Sequence, residues 1–168
     1  MRKWIPTTGS AKGRLVLAAL EAFGRDGYEA VHVGRLAEAA ETTTGPLYHH
    51  FGSKLGLYVF VREDVERRVT DRLEGALAVT IHDDVGAALV VAFDYALRAG
   101  FARMLSEPHP EARPDPVAAV LGEPPVGAML AAAWRAGLAA AADGVDPDRV
   151  REALRTLTRP ALGVPVRT

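Results

Sequence analysis

The sequence contains no cysteine among its 168 residues. That excludes a disulfide framework, a thiolate metal site and a cysteine nucleophile, and it is compatible with a reducing cytoplasm. Long apolar runs are also missing. No stretch approaches the ~18 uncharged apolar residues of a membrane span, and residues 1–10 carry Arg2 and Lys3 without an apolar signal core. The chain is therefore expected in the cytoplasm, with no membrane partner. Net charge is almost absent, at -1 from 20 basic and 21 acidic side chains, so the overall balance points to no polyanionic partner. Catalytic constellations are lacking as well. There is no glycine-rich phosphate loop and no histidine pair at metal spacing, and Ser10, Ser53 and Ser106 stand in no nucleophile-elbow context. Neither an enzyme, a cofactor nor a metal site is expected.

What is present is ordinary globular material: 49% of residues are apolar and 24% charged, enough to bury a core in one domain or two small helical ones. The charges are unevenly placed. Across residues 1–20, Arg2, Lys3, Lys12 and Arg14 meet no acid, whereas residues 63–74 mix both signs. A basic arm of this kind seeks phosphate, because each cation near a duplex releases condensed counterions; a solvated tail is the other reading of the same charges.

Apolar residues recur mainly at spacings of three and four rather than two, so the expected fold is all-α. Leu15, Ala18, Ala19, Ala22 and Phe23 make one face of a first helix over 12–25, ended by Asp26-Gly27. Val33, Leu36, Ala37 and Ala40 make a short second helix. After the tight Glu41-Thr42 link, Thr43 is the expected cap of a third helix, with Pro46 at its third position. Ser53 caps a fourth over about 54–79, with Leu57, Val61, Val65, Val69 and Leu73 on one face and Arg62, Glu66, Arg67 and Asp71 on the others. Asp83-Asp84 starts a fifth that runs towards Met104, with Gly100 as a possible break. Four prolines over 107–116 exclude regular helix and predict the weakest-ordered loop of the chain. Beyond a turn at 117–121, Pro124-Pro125 opens a helix to Ala142, and Pro147 opens the last, ended before Pro160.

Three short helices with a tight turn between the second and third describe a helix-turn-helix and its support. The residues then become specific: Phe23; Gly27-Tyr28; Leu36-Ala37-Glu38-Ala39-Ala40; Gly45-Pro46-Leu47-Tyr48-His49-His50-Phe51; Ser53-Lys54. In type and spacing this series resembles the DNA-binding domain of the TetR family of transcriptional regulators. The resemblance implies a DNA-reading domain over 1–53 and a helical ligand-binding and dimerisation domain over 54–168. Packing of Leu47 and Phe51 leaves Thr43, Thr44, Gly45, Tyr48 and His49 facing out, with the two threonines towards base edges. Lys54 adds charge and helix-terminal amides for a phosphate; Lys12, His32 and Pro46 complete the candidate DNA-binding residues. Adjacent His49 and His50 make a poor metal pair. Three positions depart from the family pattern: Glu41 and Thr42 replace a glycine and a branched apolar residue in the turn, and Val31 replaces a hydroxyl cap. A left-handed Glu41 would cost about 1 kcal/mol.

The remaining two-thirds resembles the family in architecture alone, which implies a homodimer built from the last two helices and an effector pocket among the middle ones. Independently, the helix over 126–142 is small on most faces and permits close approach; Ala132, Ala136 and Leu138 are its candidate dimer residues, with Trp134 adding bulk at one edge. An alanine-rich helix can also be an ordinary core helix. The candidate pocket residues are Phe93, Leu97, Phe101, Met104 and Leu105, faced by Met129, Leu130 and Trp134. Aromatic and methionine side chains suit an adaptable apolar cavity, and no charged residue is assigned to it, so the expected effector is a small, mostly apolar molecule. The function so implied is a ligand-responsive regulator, a repressor, that binds a near-palindromic operator as a dimer. A helical interaction module that has lost DNA binding is the alternative that Glu41 and Val31 favour.

Overall fold

The computed structural model describes residues 9–79 and 84–157. Arg2, Lys3, Asp83 and Pro160 lie outside these residues, as does the arm reading at 1–8. Among the described residues there are nine helices and no strand. They are α1 (Ala11–Ala30), α2 (Val33–Ala39), α3 (Gly45–Phe51), α4 (Lys54–Val79), α5 (Val85–Arg98), α6 (Ala102–Ser106), α7 (Pro116–Leu121), α8 (Val126–Ala142) and α9 (Pro147–Leu157). The all-α expectation holds. Helix α4 is the spine: it packs on α1 and α3 at one end and on α5 and α7 along the rest. Its stripe of Leu57, Val61, Val65, Val69 and Leu73 is fully buried, as the periodicity requires.

The caps explain most boundaries. Ser10 accepts from the Gly13 amide at 3.0 Å, Ser53 from Gly56 at 3.0 Å and Asp84 from Ala87 at 3.0 Å, each satisfying an amide the first turn leaves orphaned. Helices α5 and α8 end in the same paired closure, with Phe101 N–H on the Ala96 carbonyl and Val145 N–H on that of Ala140. Gly100 (φ 74°) and Gly144 (φ 94°) supply the left-handed residue that this closure needs. The expected break at Gly100 is therefore real, and it separates α5 from the short α6. Helix α2 closes identically, Thr42 N–H to Ala37 and Glu41 N–H to Glu38, but the left-handed residue is Glu41 at φ 49°. Arg14 offsets that strain by donating to the carbonyl of Ala40 at 2.8 Å and, more weakly, to that of Glu41 at 3.5 Å. The Arg14 charge, read in sequence as part of a phosphate-seeking arm, thus staples the turn to α1.

Four sequence expectations need correction. Helix α1 does not stop at Asp26-Gly27: Gly27 leaves helical geometry (φ 78°, ψ 179°) and a further turn runs to Ala30. The residue before α3 is Thr44 rather than Thr43, with helical backbone angles and no capping side-chain bond, which puts Pro46 at the second helical position. A proline at either position costs no intrahelical bond, so composition does not separate the two registers. Arg62 and Glu66 do not lie on solvent faces of α4 but are buried, at 0% and 1% exposure. The proline-rich segment after α6 is not loosely attached. Arg62 donates to the carbonyls of Glu107 (2.7 Å) and Pro108 (3.3 Å), Arg113 pairs with Glu66, and Asp115 is held by Arg135 (2.8 Å).

Candidate nucleic-acid interface

Helix α3 has seven residues, too few to persist in water unaided. It stands because one side is buried: Leu47 is inaccessible, and Phe51 packs on Phe60 of α4 with ring centroids 5.3 Å apart. The opposite side faces solvent. Thr43, Thr44, Gly45, Tyr48 and His49 are all exposed and Pro46 is half-buried, so the structure brings the predicted recognition residues onto one surface. Tyr48, more than half exposed at 53%, is a large ring with no core role there. His50 is exposed too, its ring 4.9 Å from that of His49, so the adjacent histidines do not face different sides. No cluster of three or more His, Asp or Glu side chains that could hold a metal occurs among the described residues.

The flanking cations are organised by aromatic rings. Lys54 Nζ lies 4.2 Å from the Tyr28 ring centroid and 3.5 Å from the Glu29 carbonyl, which leaves donors of its ammonium available to an anion at the α4 terminus. Lys12 Nζ lies 5.7 Å and 5.5 Å from the rings of Phe51 and Phe60. His32 and Arg35 are exposed around the start of α2. Sequence reading missed Arg35, whose exposure the short α2 period does not determine. A groove of about 850 Å³ between α1 and α2 carries Arg25, His32 and Arg35, but also Glu21, Asp26, Glu38 and Glu41, so its charge is mixed.

Comparison with known proteins bears on this surface. The family description "Bacterial regulatory proteins, tetR family" matches residues 15–59, the span that holds α2, α3 and their supports. Over this span the chain is similar to the DNA-binding domain of the TetR family. The HTH-type transcriptional activator FasR of Mycolicibacterium smegmatis is 38% identical over 64 residues, which is 38% of this chain but only 28% of FasR. At the level of fold the likeness runs further. A protein of Shewanella sp. PV-4 assigned to the tetR family of transcription regulators superposes with TM-score 0.64 at 20% identity, covering 88% of this chain and 95% of its own. LfrR of Mycobacterium smegmatis, a TetR-like regulator crystallised with proflavine, gives TM-score 0.57 at 20% identity, covering 89% and 99%. The C-terminal helices of this chain therefore share the fold of these regulators.

Within that C-terminal region the predicted pocket residues fall into different environments. Phe93, Met104, Leu105 and Trp134 are fully buried, Phe101 nearly so, Leu97 and Leu130 are half-buried, and Met129 is 67% exposed. Only Phe101 among them lines the groove of about 560 Å³ where α1 meets the α5–α6 turn, beside Leu17, Leu20 and Gly100. The Trp134 indole N–H is buried without an acceptor among the described residues. The dimer candidates divide likewise: Ala132 and Ala136 are exposed, but Leu138 and Trp134 are fully buried inside the subunit and supply no bulk to a contact between chains. The outward stripe of α8 is instead Val126, Met129, Ala132 and Ala136, with Ala153 and Leu157 exposed on α9. Several small residues of α8 serve packing within the chain. A Cβ on Gly127 would sit 2.3 Å from the Ala118 and Gly122 carbonyls, and one on Gly137 2.8 Å from Val150.

Proposed function

We propose that this protein is a ligand-responsive transcriptional regulator of the TetR family that binds a near-palindromic DNA duplex as a homodimer, with 1–53 as reader and 54–168 as sensor and dimer region. The observation that carries the reading is the outward face of α3, where Thr44, Tyr48 and His49 stand exposed while Leu47 anchors the helix from behind. Side chains of these types hydrogen-bond phosphate and base edges when such a helix enters a major groove. The start of α4 supports a phosphate contact, since its first amides and Lys54 present partial and full positive charge together. The exposed apolar residues Val126, Met129, Ala132 and Ala136 of α8 support a twofold contact, because an exposed apolar stripe favours being covered.

An effector is the part of this reading that rests most on likeness, namely to LfrR and its proflavine complex. The unpaired Trp134 N–H favours a ligand that brings an oxygen or nitrogen acceptor into an otherwise apolar core, since a buried donor without a partner is costly. We read the mode of control as repression, and a reporter assay with and without the chain decides it against activation.

The reader is tested on a duplex that the wild-type chain selects from a randomised pool, with binding followed by fluorescence anisotropy. Lys54→Ala is expected to weaken binding to every sequence alike and to reduce the salt slope by about one unit. Thr44→Ala is expected to change the selected sequence as well as the affinity, through loss of about 1–3 kcal/mol of discrimination at one base position. An unchanged slope removes Lys54 from the phosphate contacts, and an unchanged consensus places base reading elsewhere than Thr44.

A further inference from the structure

We propose that Glu107 is the positioning residue that couples the sensor region to the DNA-reading domain, and that a buried arginine relay carries the state of α8 to it. The geometry stands by itself; its consequence for DNA rests on the reading given above.

The backbone of Gly27 (φ 78°, ψ 179°) interrupts α1, so the next amide, that of Tyr28, is without an ordinary helical acceptor. Glu107, 79 residues away, fills the gap: Tyr28 N–H donates to its two carboxylate oxygens at 3.2 Å and 3.1 Å. The fit is close, because a Cβ on residue 27 would lie 2.1 Å from Glu107 Oε1. The Tyr58 hydroxyl donates to Glu107 Oε2 at 2.9 Å, and the Tyr28 and Tyr58 rings stand 4.9 Å apart. One carboxylate from the sensor region therefore fixes the end of α1 and the start of α4 together, beside the Tyr28 ring on which Lys54 rests.

From Glu107 the contacts run inward without a gap. Its carbonyl accepts from Arg62 at 2.7 Å, and Arg62 also donates to the Tyr58 hydroxyl and the Met104 carbonyl, both at 2.8 Å. Arg62 pairs with Glu66 at 3.0 Å, and Glu66 in turn faces Arg113 and, at 3.7 Å, Arg135 of α8. Arg135 is locked by a two-point bond to Asp115 and by the Leu105 carbonyl at 2.6 Å. Burial pushes the Asp115 carboxyl up, but the Arg135 guanidinium and the Val117 and Ala118 amides outweigh it and hold it below the usual carboxylate range. Displacing α8 withdraws Arg135 from Glu66, from the Leu105 carbonyl and from Asp115, which loses its ion partner, and a displaced segment at 107–108 strands the Tyr28 amide. The cost of unpaired buried charge makes such a chain move as a unit. A competing route exists: Gly24 of α1 touches the α5–α6 turn directly, where a Cβ would meet the Gly100 carbonyl at 2.2 Å.

Contiguity is not coupling, so the test perturbs one end and reads the other. Amide hydrogen exchange of Tyr28 is measured in the full chain. Glu107→Ala is expected to speed it by about tenfold or more, and Glu107→Gln, which keeps an acceptor, by less. Arg135→Leu touches neither Tyr28 nor Glu107, yet is expected to speed Tyr28 exchange by at least about threefold while the α3 amides keep their wild-type rates. If Arg135→Leu does not fold, Arg135→Lys, which retains charge but not the two-point bond, takes its place. A Tyr28 amide that responds to Glu107→Ala but not to either Arg135 variant makes Glu107 a local cap and overturns the relay. For the consequence, Glu107→Ala is titrated against the selected duplex: affinity is expected to fall while the salt slope stays unchanged, because the phosphate contacts remain but their placement does not. Unchanged affinity with an opened Tyr28 amide contradicts a positioning role. A chain that selects no duplex defeats the DNA-binding reading instead, and the exchange measurements still decide the relay.

Discussion

Arg62→Leu is expected to destabilise the protein by about 3–5 kcal/mol, the usual cost of stranding one partner of a buried ion pair. The site meets the conditions for a value in that range. Both Arg62 and Glu66 are buried, and Arg62 donates to the carbonyls of Met104, Glu107 and Pro108. Leucine fills part of the volume but donates to none of them. The loss is read as a lower midpoint in urea with a native-like slope. Because small domains have only about 5–15 kcal/mol in total, the variant is expected to lie near its unfolding threshold at ordinary temperature. Its partner substitution separates polarity from packing: a chain with both Arg62→Leu and Glu66→Leu is expected to recover part of the loss, since the stranded carboxylate is gone, though Arg113 and Arg135 then lack their shared acceptor. A change below about 1 kcal/mol, the scale of an exposed ion pair, would contradict the buried placement.

Ala136→Glu is expected to abolish dimerisation and to weaken binding to a two-half-site duplex by at least about 100-fold, the factor lost when two linked contacts become independent. Ala136 is exposed and lies one turn from Ala132 on the apolar stripe of α8, so a glutamate there does not disturb the chain's own core. If the proposed twofold contact brings this stripe against its own copy, two like charges would be desolvated together there. Light scattering at micromolar concentration is expected to give two chains for the wild type and one for the variant, with helix content by circular dichroism unchanged. Leu138→Ala serves as the contrast. Because Leu138 is fully buried within the subunit, that substitution is expected to lower stability and leave the oligomeric state intact. A dimeric Ala136→Glu would move the interface away from this stripe.

The helices and the exposed face of α3 were legible because their signals are local. A stripe such as Leu57, Val61, Val65, Val69 and Leu73 announces its own buried side, and Leu47 within Gly45–Phe51 fixes which face of α3 is free. The buried polar side of α4 was not legible. Tyr58, Arg62 and Glu66 form a second stripe at the same period, but what covers it is the segment after α6, 45 to 49 residues away in sequence. No local rule links the two. Prolines in that segment rightly exclude helix, yet they leave its carbonyls unused, and those carbonyls are what Arg62 needs. Helix α8 hid its orientation for a different reason: when most residues are alanine or glycine, the period carries little information about which face is inside. Trp134 and Leu138 therefore read as outward bulk, whereas they anchor the core. At Glu41 the sequence did show where strain would sit, but not that Arg14 binds the neighbouring carbonyls.

The most direct measurement is the mass and half-site spacing of the complex formed between the full chain and the duplex it selects from a randomised pool. The expected result is an enriched near-palindrome whose half-sites lie about one helical turn, ~34 Å, apart, bound by two chains with an affinity that falls steeply with salt. Selection of no sequence, or specific binding by a single chain, would contradict the assignment of α3 and the α8 stripe to one dimeric DNA reader.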